Sequence, residues 1–297
     1  MCAASGPDVV APGPEGTRFA AVHRFGEIDS TNRYLLDAAR AGAPEGTVAV
    51  ADYQRAGRGR LGRRWEAPAG SNLLVSVLLR PVLPADELHL CTTAVALAAA
   101  DACAAAAGLA PGLKWPNDLV VGERKLAGVL AEAAPSAPTT GAPGVRPAGG
   151  GGPAAGQVVV VGLGLNVGWP PPGDGGSRLP GPPEPGASDL EEVLRTATSI
   201  RRETGAAVTP SDLLDAVLVA LEPRLDDLGD TAGRARLAEE YRRRCVTLGR
   251  AVRVSCAGET FTGTASDVTG AGHLVVEVGR GVRTVAAGDV VHLRHSA

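Results

Sequence analysis

The chain is organised around a stretch rich in arginine and glycine that lies between two predicted core strands. Of the ten residues 55–64, five are arginines, three are glycines and none is acidic. Residues 48–53 before the stretch and 72–79 after it are apolar enough to be buried strands. The stretch is therefore expected to be a loop presented by a rigid frame. Because guanidinium groups bind phosphate or carboxylate through paired hydrogen bonds, an anion-binding loop is favoured about equally with a solvated basic loop that touches nucleic acid.

Length, charge and composition narrow the class of protein. The 297 residues have room for one large and one small domain. A net charge of -3 argues against a general polyanion binder, so any basic surface must be local. The cysteines form no CxxC pair and the histidines no HExxH spacing, which favours a reducing compartment without a zinc site. Since there is no signal-peptide pattern and no apolar run of about 18 residues, a cytoplasmic location away from membranes is predicted.

Segments rich in proline and glycine divide the chain. Residues 1–21 are predicted to be disordered and are too short for a helix-turn-helix domain, so specific DNA binding is not expected. Residues 22–245 form the large domain, interrupted by loops at 133–156 and 169–186 that are also predicted to be disordered. In residues 246–297, short strands alternate with glycine turns, which predicts a small β-barrel.

Periodicity and capping signals place the regular elements of the large domain. A strand over 22–28 is followed by a helix that begins at Ser30, Thr31 and Asn32 and stops at Gly42. Those three polar residues either cap the helix or grip a polar group of a ligand. The other predicted elements are a hairpin over 119–132, a strand over 157–161 and helices over 87–108, 188–201, 211–228 and 234–245.

Three further motifs carry polar residues or glycines near strand ends. Residues 114–118 (KWPND) lead into the hairpin, whose second strand begins with Lys125 (KLAGVLAE). Lys114 and Asp118 could form a plain ion pair beside a core tryptophan; alternatively, the lysine neutralises phosphate and the carboxylate binds Mg²⁺. Residues 162–166 (GLGLN) do not fit a dinucleotide-binding fingerprint because no helix follows them, and their glycines could simply serve packing.

Taken in order, these motifs closely resemble those of bacterial biotin–protein ligases, in the short form without an N-terminal DNA-binding domain. The resemblance covers residues 22–294 apart from the two Pro/Gly-rich loops, and the pairing of GRGRxGRxW with KWPND is its most specific part. It implies an α+β fold: a mixed sheet with flanking helices, related to class II aminoacyl-tRNA synthetases, followed by an SH3-like β-barrel. It also implies a reaction in which biotin and ATP give biotinyl-5′-AMP and pyrophosphate, and a lysine of a carrier protein then takes the biotin.

The resemblance further implies overlapping sets of site residues. Those expected to contact biotin are Ser30, Thr31, Asn32, Gln54, Gly57, Arg58, Gly59, Arg60, Lys125, Gly128, Gly162 and Gly164. Those expected to contact ATP are Arg58, Arg60, Arg63, Trp65, Lys114, Asn117, Lys125 and Asn166. Those expected to act in catalysis are Arg58, Arg60, Lys114, Asp118 and Lys125, with Asp118 as a ligand of Mg²⁺. The individual roles of Arg55, Arg63 and Arg64 stay open.

The chemistry of the implied reaction fits these residue types. Attack of a carboxylate on a phosphate brings two anions together, so cationic side chains and Mg²⁺ are needed, and no covalent enzyme nucleophile is required. The loop is expected to be mobile without ligand and to close over the adenylate. Biotin carboxyl carrier domains are the implied protein partner, and a homodimer is left open. The rivals are a lipoate ligase or octanoyltransferase, and a nucleic-acid-binding module, which the scarcity of aromatic residues disfavours.

Overall fold

The computed structural model describes residues 6–134, 157–172, 194–256 and 258–293. Their large domain is built on an eight-stranded sheet of order β1-β2-β3-β4-β8-β7-β6-β5. Strands β2 and β3 run parallel, and the other neighbouring pairs are antiparallel, so the sheet is mixed, as predicted. Its strands are β1 (Val9–Ala11), β2 (Ala21–Ile28), β3 (Thr47–Gln54), β4 (Leu73–Leu79), β5 (Gly112–Lys114), β6 (Asp118–Val121), β7 (Arg124–Ala134) and β8 (Val158–Leu165).

Helices cover both faces of this sheet, and for that reason the central strand β4 is buried along its whole length. One face packs on α1, and the other packs on α2 and α4. The apolar strand pattern that predicted a core strand at 72–79 is therefore explained by burial on both sides. The helices are α1 (Thr31–Arg40), α2 (His89–Ala107), α3 (Ile200–Thr204), α4 (Pro210–Asp227) and α5 (Thr231–Arg244).

Helix α2 is the alanine-rich core helix of the large domain. Twelve of its nineteen residues are buried, and it ends at Gly108, which adopts the left-handed conformation typical of a helix C-terminus. With the turn before it (Ala85–Ala107), it has the length and hydropathy of a membrane span, and among the described residues no other helix does. About two thirds of that apolar window (67%) is buried inside the protein, as in the core helix of a globular domain.

The small domain is a five-stranded antiparallel sheet of order β12-β11-β10-β9-β13. A β-bulge between Ala265 and Asp267 bends the long strand β10, which lets the sheet curve around its own apolar side chains. The domain packs against the KWPND turn, where Trp115 Nε1 donates to the Gly272 carbonyl at 2.8 Å. This arrangement is consistent with the predicted SH3-like barrel. Its strands are β9 (Ala251–Cys256), β10 (Glu259–Val268), β11 (Leu274–Val278), β12 (Gly281–Val285) and β13 (Asp289–His292).

The predicted disorder of residues 1–21 is wrong for residues 6–21. Strand β1 pairs with β2 in antiparallel register, with Val10 opposite His23. Phe19 is 1% exposed, and Arg18 forms ion pairs with Glu222 and Asp226 of α4. The segment is ordered because its backbone completes a sheet edge and its one aromatic ring enters the core. Residues 1–5 lie outside the described part of the chain.

The two predicted loops and the predicted helix 188–201 are only partly described. Residues 133 and 134 belong to β7, and residues 135–156 lie outside the described part of the chain. Trp169 is buried at 9% exposure, which corrects the start of the second loop, whereas residues 173–186 are not described. Residues 194–196 are helical, as predicted, but the predicted helix is broken at residues 197–199. Ala197 makes a strand-like bridge to Lys125, and α3 follows as a separate helix capped by Ser199.

Candidate active site

The register of the sheet brings three of the sequence motifs into one row. Lys114 lies opposite Asp118, Asp118 opposite Gly128, and Gly128 opposite Gly164. Directly opposed residues of neighbouring strands point to the same face. The motifs KWPND, KLAG and GLGLN therefore meet as neighbours on the sheet face that α1 partly covers.

Glycines in and beside this row make space for other side chains of the protein. A Cβ atom added at Gly164 would lie 2.4 Å from Trp65 Cε2, and one added at Gly162 would lie 2.3 Å from Asn32 Oδ1. At Gly128 the added atom would meet Trp65 and Lys125 at 3.1 Å. The glycines are thus required for the close approach of these side chains. Trp65 lies against Gly128 and Gly164, and Asn32 lies against Gly162, while the predicted contacts of these glycines with biotin stay a prediction.

A chain of buried and partly buried polar groups, here called the polar chain (Gln54, Thr31, Ser76, Asn32, Glu132), runs along one side of the site. Gln54 Oε1 accepts from the backbone and hydroxyl of Thr31 at 2.8 and 3.1 Å. The Ser76 hydroxyl lies 2.7 Å from Thr31 Oγ1 and 2.6 Å from Asn32 Oδ1. Asn32 Nδ2 donates to Glu132 Oε2 at 2.8 Å. Ser30 is the N-cap of α1, with its hydroxyl 3.5 Å from the Arg33 amide.

Two members of the polar chain, Ser76 and Glu132, were missed in the analysis of the sequence. Ser76 is fully buried, and its signal was visible as a lone polar residue inside the apolar strand LLVSVLL. Glu132 lies near the end of β7, where its strand position places it on the same face as Gly128. A polar residue at a buried strand position must find a partner, which makes Ser76 a candidate for the site. Glu132 is a candidate because it is a partly buried carboxylate on the same face.

The arginine loop (residues 55–65) is folded back on itself and reaches both domains. Gly59 N donates to Arg63 O at 2.7 Å and Trp65 N to Gly57 O at 3.0 Å, which closes its base. Arg58 donates to Glu132 at 3.0 Å, whereas Arg60 donates to Asn117 Oδ1 at 3.2 Å and to the Gly288 carbonyl at 3.3 Å. A cavity of about 490 Å³ lies between the loop, Leu130 and Glu132.

The other arginines of the loop differ in their surroundings. Arg63 forms an ion pair with Asp289 of the small domain at 2.7 Å. Arg55 pairs with Glu27 and Asp29 at the surface, and Arg64 is 68% exposed. Of these three, Arg63 therefore links the loop to the small domain.

Two of the cations at the site, Lys125 and Arg60, have carboxylates nearby. Lys125 Nζ lies 2.7 Å from Asp118 Oδ1 and 5.5 Å from the centre of the Trp65 ring. Among the described residues Asp118 Oδ1 has no hydrogen bond, so the contact with Lys125 is an ion pair without hydrogen-bond geometry. Burial lowers the pKa of Arg60, and the nearby carboxylates of Asp118 and Asp289 oppose that shift.

Asn166 is a buried residue whose hydrogen bonds connect strands of the sheet. It is 3% exposed, its Oδ1 accepts from Asn72 Nδ2 at 2.9 Å, and its Nδ2 donates to the Lys125 carbonyl at 3.4 Å. These bonds join the start of β4 to the end of β8 and to β7. The predicted ATP contact of Asn166 would thus come from a residue that also holds the sheet together.

The described residues hold no group of three or more His, Cys, Asp or Glu side chains that could bind a metal ion by themselves. The buried thiols of Cys91 and Cys103 are protonated, because burial raises the pKa of each to about 12.

The cations of the arginine loop and of the sheet suit chemistry on anionic groups, and the small domain contacts the loop. Residues 25–142 match the biotin/lipoate A/B protein ligase family, and residues 247–293 match the biotin protein ligase C-terminal domain. The likeness to named relatives extends over most of the chain, and on that evidence the chain belongs to the biotin protein ligase family.

Two relatives and one solved structure illustrate the likeness. The biotin–[acetyl-CoA-carboxylase] ligase of Mycobacterium tuberculosis is 35% identical over 274 residues, covering 90% of this chain and 87% of that protein. The enzyme of the same name from Paracoccus denitrificans is 31% identical, covering 88% of this chain and 96% of that protein. The fold is shared with a biotin protein ligase from Aquifex aeolicus in complex with biotin and ATP, with a TM-score of 0.69, 24% identity and coverage of 92% and 98%.

Proposed function

We propose that the protein joins biotin to ATP to form biotinyl-5′-AMP and pyrophosphate, and then transfers the biotinyl group to a lysine of a carrier protein. The observation that carries this proposal is the cavity of about 490 Å³ under the arginine loop, which is lined by the loop arginines and by Glu132, the residue at which the polar chain ends. A small neutral ring system with a single carboxylate suits this region, because uncharged polar groups and cations both lie near the cavity.

In this proposal, the polar chain supplies the groups that bind the fused rings of biotin. Thr31 and Asn32, which are buried, and Gln54, which is partly buried, present hydroxyl and amide groups that match the donors and acceptors of a cyclic urea. Ser30 holds the start of α1, so these groups are positioned before a ligand arrives. Because Trp65 and Asn32 occupy the space above the glycines here, ring binding requires Trp65 to move with its loop.

The cations surround the place where the carboxylate of biotin attacks the α-phosphate of ATP. Arg58 and Arg60 on the loop offset the repulsion between carboxylate and phosphate, and Lys114 and Lys125 add charge from the sheet. The same proposal assigns four further residues to the nucleotide site: Arg63, Trp65, Asn117 and Asn166. Burial of the site by the folded loop strengthens these interactions and excludes the water that would hydrolyse the adenylate.

Asp118 is the candidate ligand for Mg²⁺. Its Oδ1 is buried without a hydrogen bond in the described structure, and a single carboxylate together with substrate phosphates is a usual donor set for this ion. When bound, Mg²⁺ would neutralise charge on the pyrophosphate leaving group. Lys125 would then be released from its ion pair with Asp118 towards the carboxylate or phosphate.

The protein partner proposed for the second step is a biotin carboxyl carrier domain, in keeping with relatives named for acetyl-CoA carboxylase. Transfer needs a carrier lysine to reach the adenylate carbonyl, while the loop keeps water out. We further propose a cytoplasmic location and no sequence-specific DNA binding. A gel shift with biotin-operon promoter DNA tests the latter.

The experiment that tests the proposal is incubation of the pure protein with ATP, Mg²⁺, biotin and a carrier domain, followed by mass spectrometry of the carrier. One added biotinyl group is expected, with none on a carrier whose acceptor lysine is replaced by arginine. Pyrophosphate exchange that depends on lipoate but not on biotin would instead assign the chain to the lipoate branch. Steeply salt-dependent DNA binding without adenylate formation would support the nucleic-acid alternative.

A further inference from the structure

Glu132 joins two parts of the site that have separate tasks in the proposed function. Its Oε2 atom accepts from Asn32 Nδ2 at 2.8 Å and from Arg58 Nη2 at 3.0 Å. Asn32 belongs to the start of α1, and Arg58 belongs to the arginine loop. One carboxylate oxygen therefore ends the polar chain and also holds the loop.

The position of Glu132 is unusual for an acidic residue. It lines the cavity under the loop, where the proposed substrate brings a carboxylate of its own. If the carboxylates of Glu132 and of the substrate both paired with the Arg58 guanidinium, they would repel each other. Because the Arg58 side chain is 44% exposed and that of Glu132 is 24% exposed, their ion pair is weak enough to be exchanged for another.

Lys125 shows a related arrangement. It is the sheet cation predicted to meet the same carboxylate, and it is paired with Asp118 at 2.7 Å. Both cations thus have an acidic partner within the protein itself.

We propose that Glu132 is a specificity-determining residue: an internal carboxylate that holds Arg58 over the cavity until the carboxylate of biotin replaces it. This inference rests on the proposed function, because it assumes that biotin binds there. The exchange costs the substrate part of its binding free energy and favours ligands whose own anion can displace Glu132. An uncharged analogue has no group to compete for Arg58, so it gains nothing when Glu132 is neutralised.

The test is the substitution Glu132→Gln, which keeps an oxygen to accept from Asn32 but removes the charge. Binding of biotin and of its uncharged alcohol analogue, biotinol, is measured by titration calorimetry in the full-length protein. Biotin is expected to bind roughly two- to fivefold more tightly to E132Q, the range that corresponds to a partly exposed ion pair. The affinity for biotinol is expected to stay the same.

Two control variants isolate the effect. Glu259→Gln removes the same charge from an exposed ion pair with Arg283 in the small domain, and it should leave biotin affinity unchanged. In the background of Arg58→Gln, adding E132Q should no longer tighten biotin binding, because the competed cation is gone. Thermal unfolding of E132Q shows whether the variant is folded.

The outcomes separate this inference from the proposed function. If the unsubstituted protein binds no biotin, the proposed function fails. If it binds biotin but E132Q binds biotin equally or less tightly, the inference is overturned and the proposed function stands. Equal tightening for biotin and biotinol would also overturn it, since the effect would then come from the ring end and not from competition for Arg58.

Discussion

Arg60 is the arginine of the loop with the most constrained side chain. It bonds to Asn117 of the KWPND turn and to the Gly288 carbonyl of the small domain. Burial lowers the pKa of Arg60, but a guanidinium starts so high that it remains charged at neutral pH. A cation that is partly shielded from water stabilises a developing anion more than a cation in solvent does. Arg64, by contrast, is 68% exposed and donates to a carbonyl of its own loop.

Replacement of Arg60 by alanine should therefore slow adenylate formation far more than replacement of Arg64. We expect R60A to lower the rate of biotin-dependent pyrophosphate exchange by about 10²- to 10³-fold, as is typical when a preorganised donor to a developing charge is removed. R64A should change the rate by about twofold or less, because a substitution at an exposed position usually changes the free energy by no more than about 0.5 kcal/mol. Equal losses in the two variants would mean that the loop acts through its total charge alone.

At the scale of elements, the site depends on the junction between α1 and the sheet. Helix α1 begins with polar side chains that turn inward, and the central strand β4 meets them with Ser76. Both Ser76 and Thr31 are shielded from water, so each hydroxyl depends on its partners in the polar chain. The polar chain therefore orients the first turn of α1 as well as the groups that would bind biotin's rings.

Ser76→Ala should weaken both the fold and the site. It removes a partner from Asn32 Oδ1 and Thr31 Oγ1, and an unsatisfied buried acceptor costs about 1–3 kcal/mol. The free energy of unfolding, measured in urea, should fall by that amount, and biotin affinity should fall with it. Ser266→Ala is the control, because that serine is exposed and lies 3.4 Å from its carbonyl partner. Unchanged stability in S76A would show that water replaces the lost hydroxyl.

At the scale of the whole molecule, the small domain takes part in the site. The arginine loop comes from the large domain, yet Arg60 and Arg63 contact Gly288 and Asp289 beside β13. Trp115 ties the KWPND turn to the same small domain. The small domain is thus placed to hold the loop folded, although the mobility of the loop without ligand stays a prediction.

Asp289→Asn should loosen the loop without unfolding the protein. The Arg63–Asp289 pair is half exposed, so its loss should cost no more than about 1 kcal/mol of stability. With biotin and ATP present, trypsin cleavage at the loop arginines should be up to about fivefold faster, the factor that corresponds to the same free energy. Glu259→Gln should leave cleavage unchanged. Protection equal to that of the unsubstituted protein would mean that the small domain does not hold the loop.

The sequence by itself determined the local elements of this protein. The helix starting at Thr31 follows from its cap and its Gly42 stop, and β4 follows from a continuous apolar run. It also determined the family, through motifs whose residue types the chemistry requires. It failed at residues 6–21, because a composition rich in alanine, proline and glycine conceals a short strand whose order comes from pairing with β2.

Only the tertiary structure decided which of these residues meet. Strand register aligned Lys114, Asp118, Gly128 and Gly164, and chain folding brought Arg58 to a carboxylate 74 residues away and Arg60 to a carbonyl 228 residues away. Cap, turn and periodicity signals depend on residues within a few positions of each other, so they can be recognised from the amino-acid sequence alone. Register and domain contacts depend on the packing of distant segments, and no local pattern in the chain encodes them.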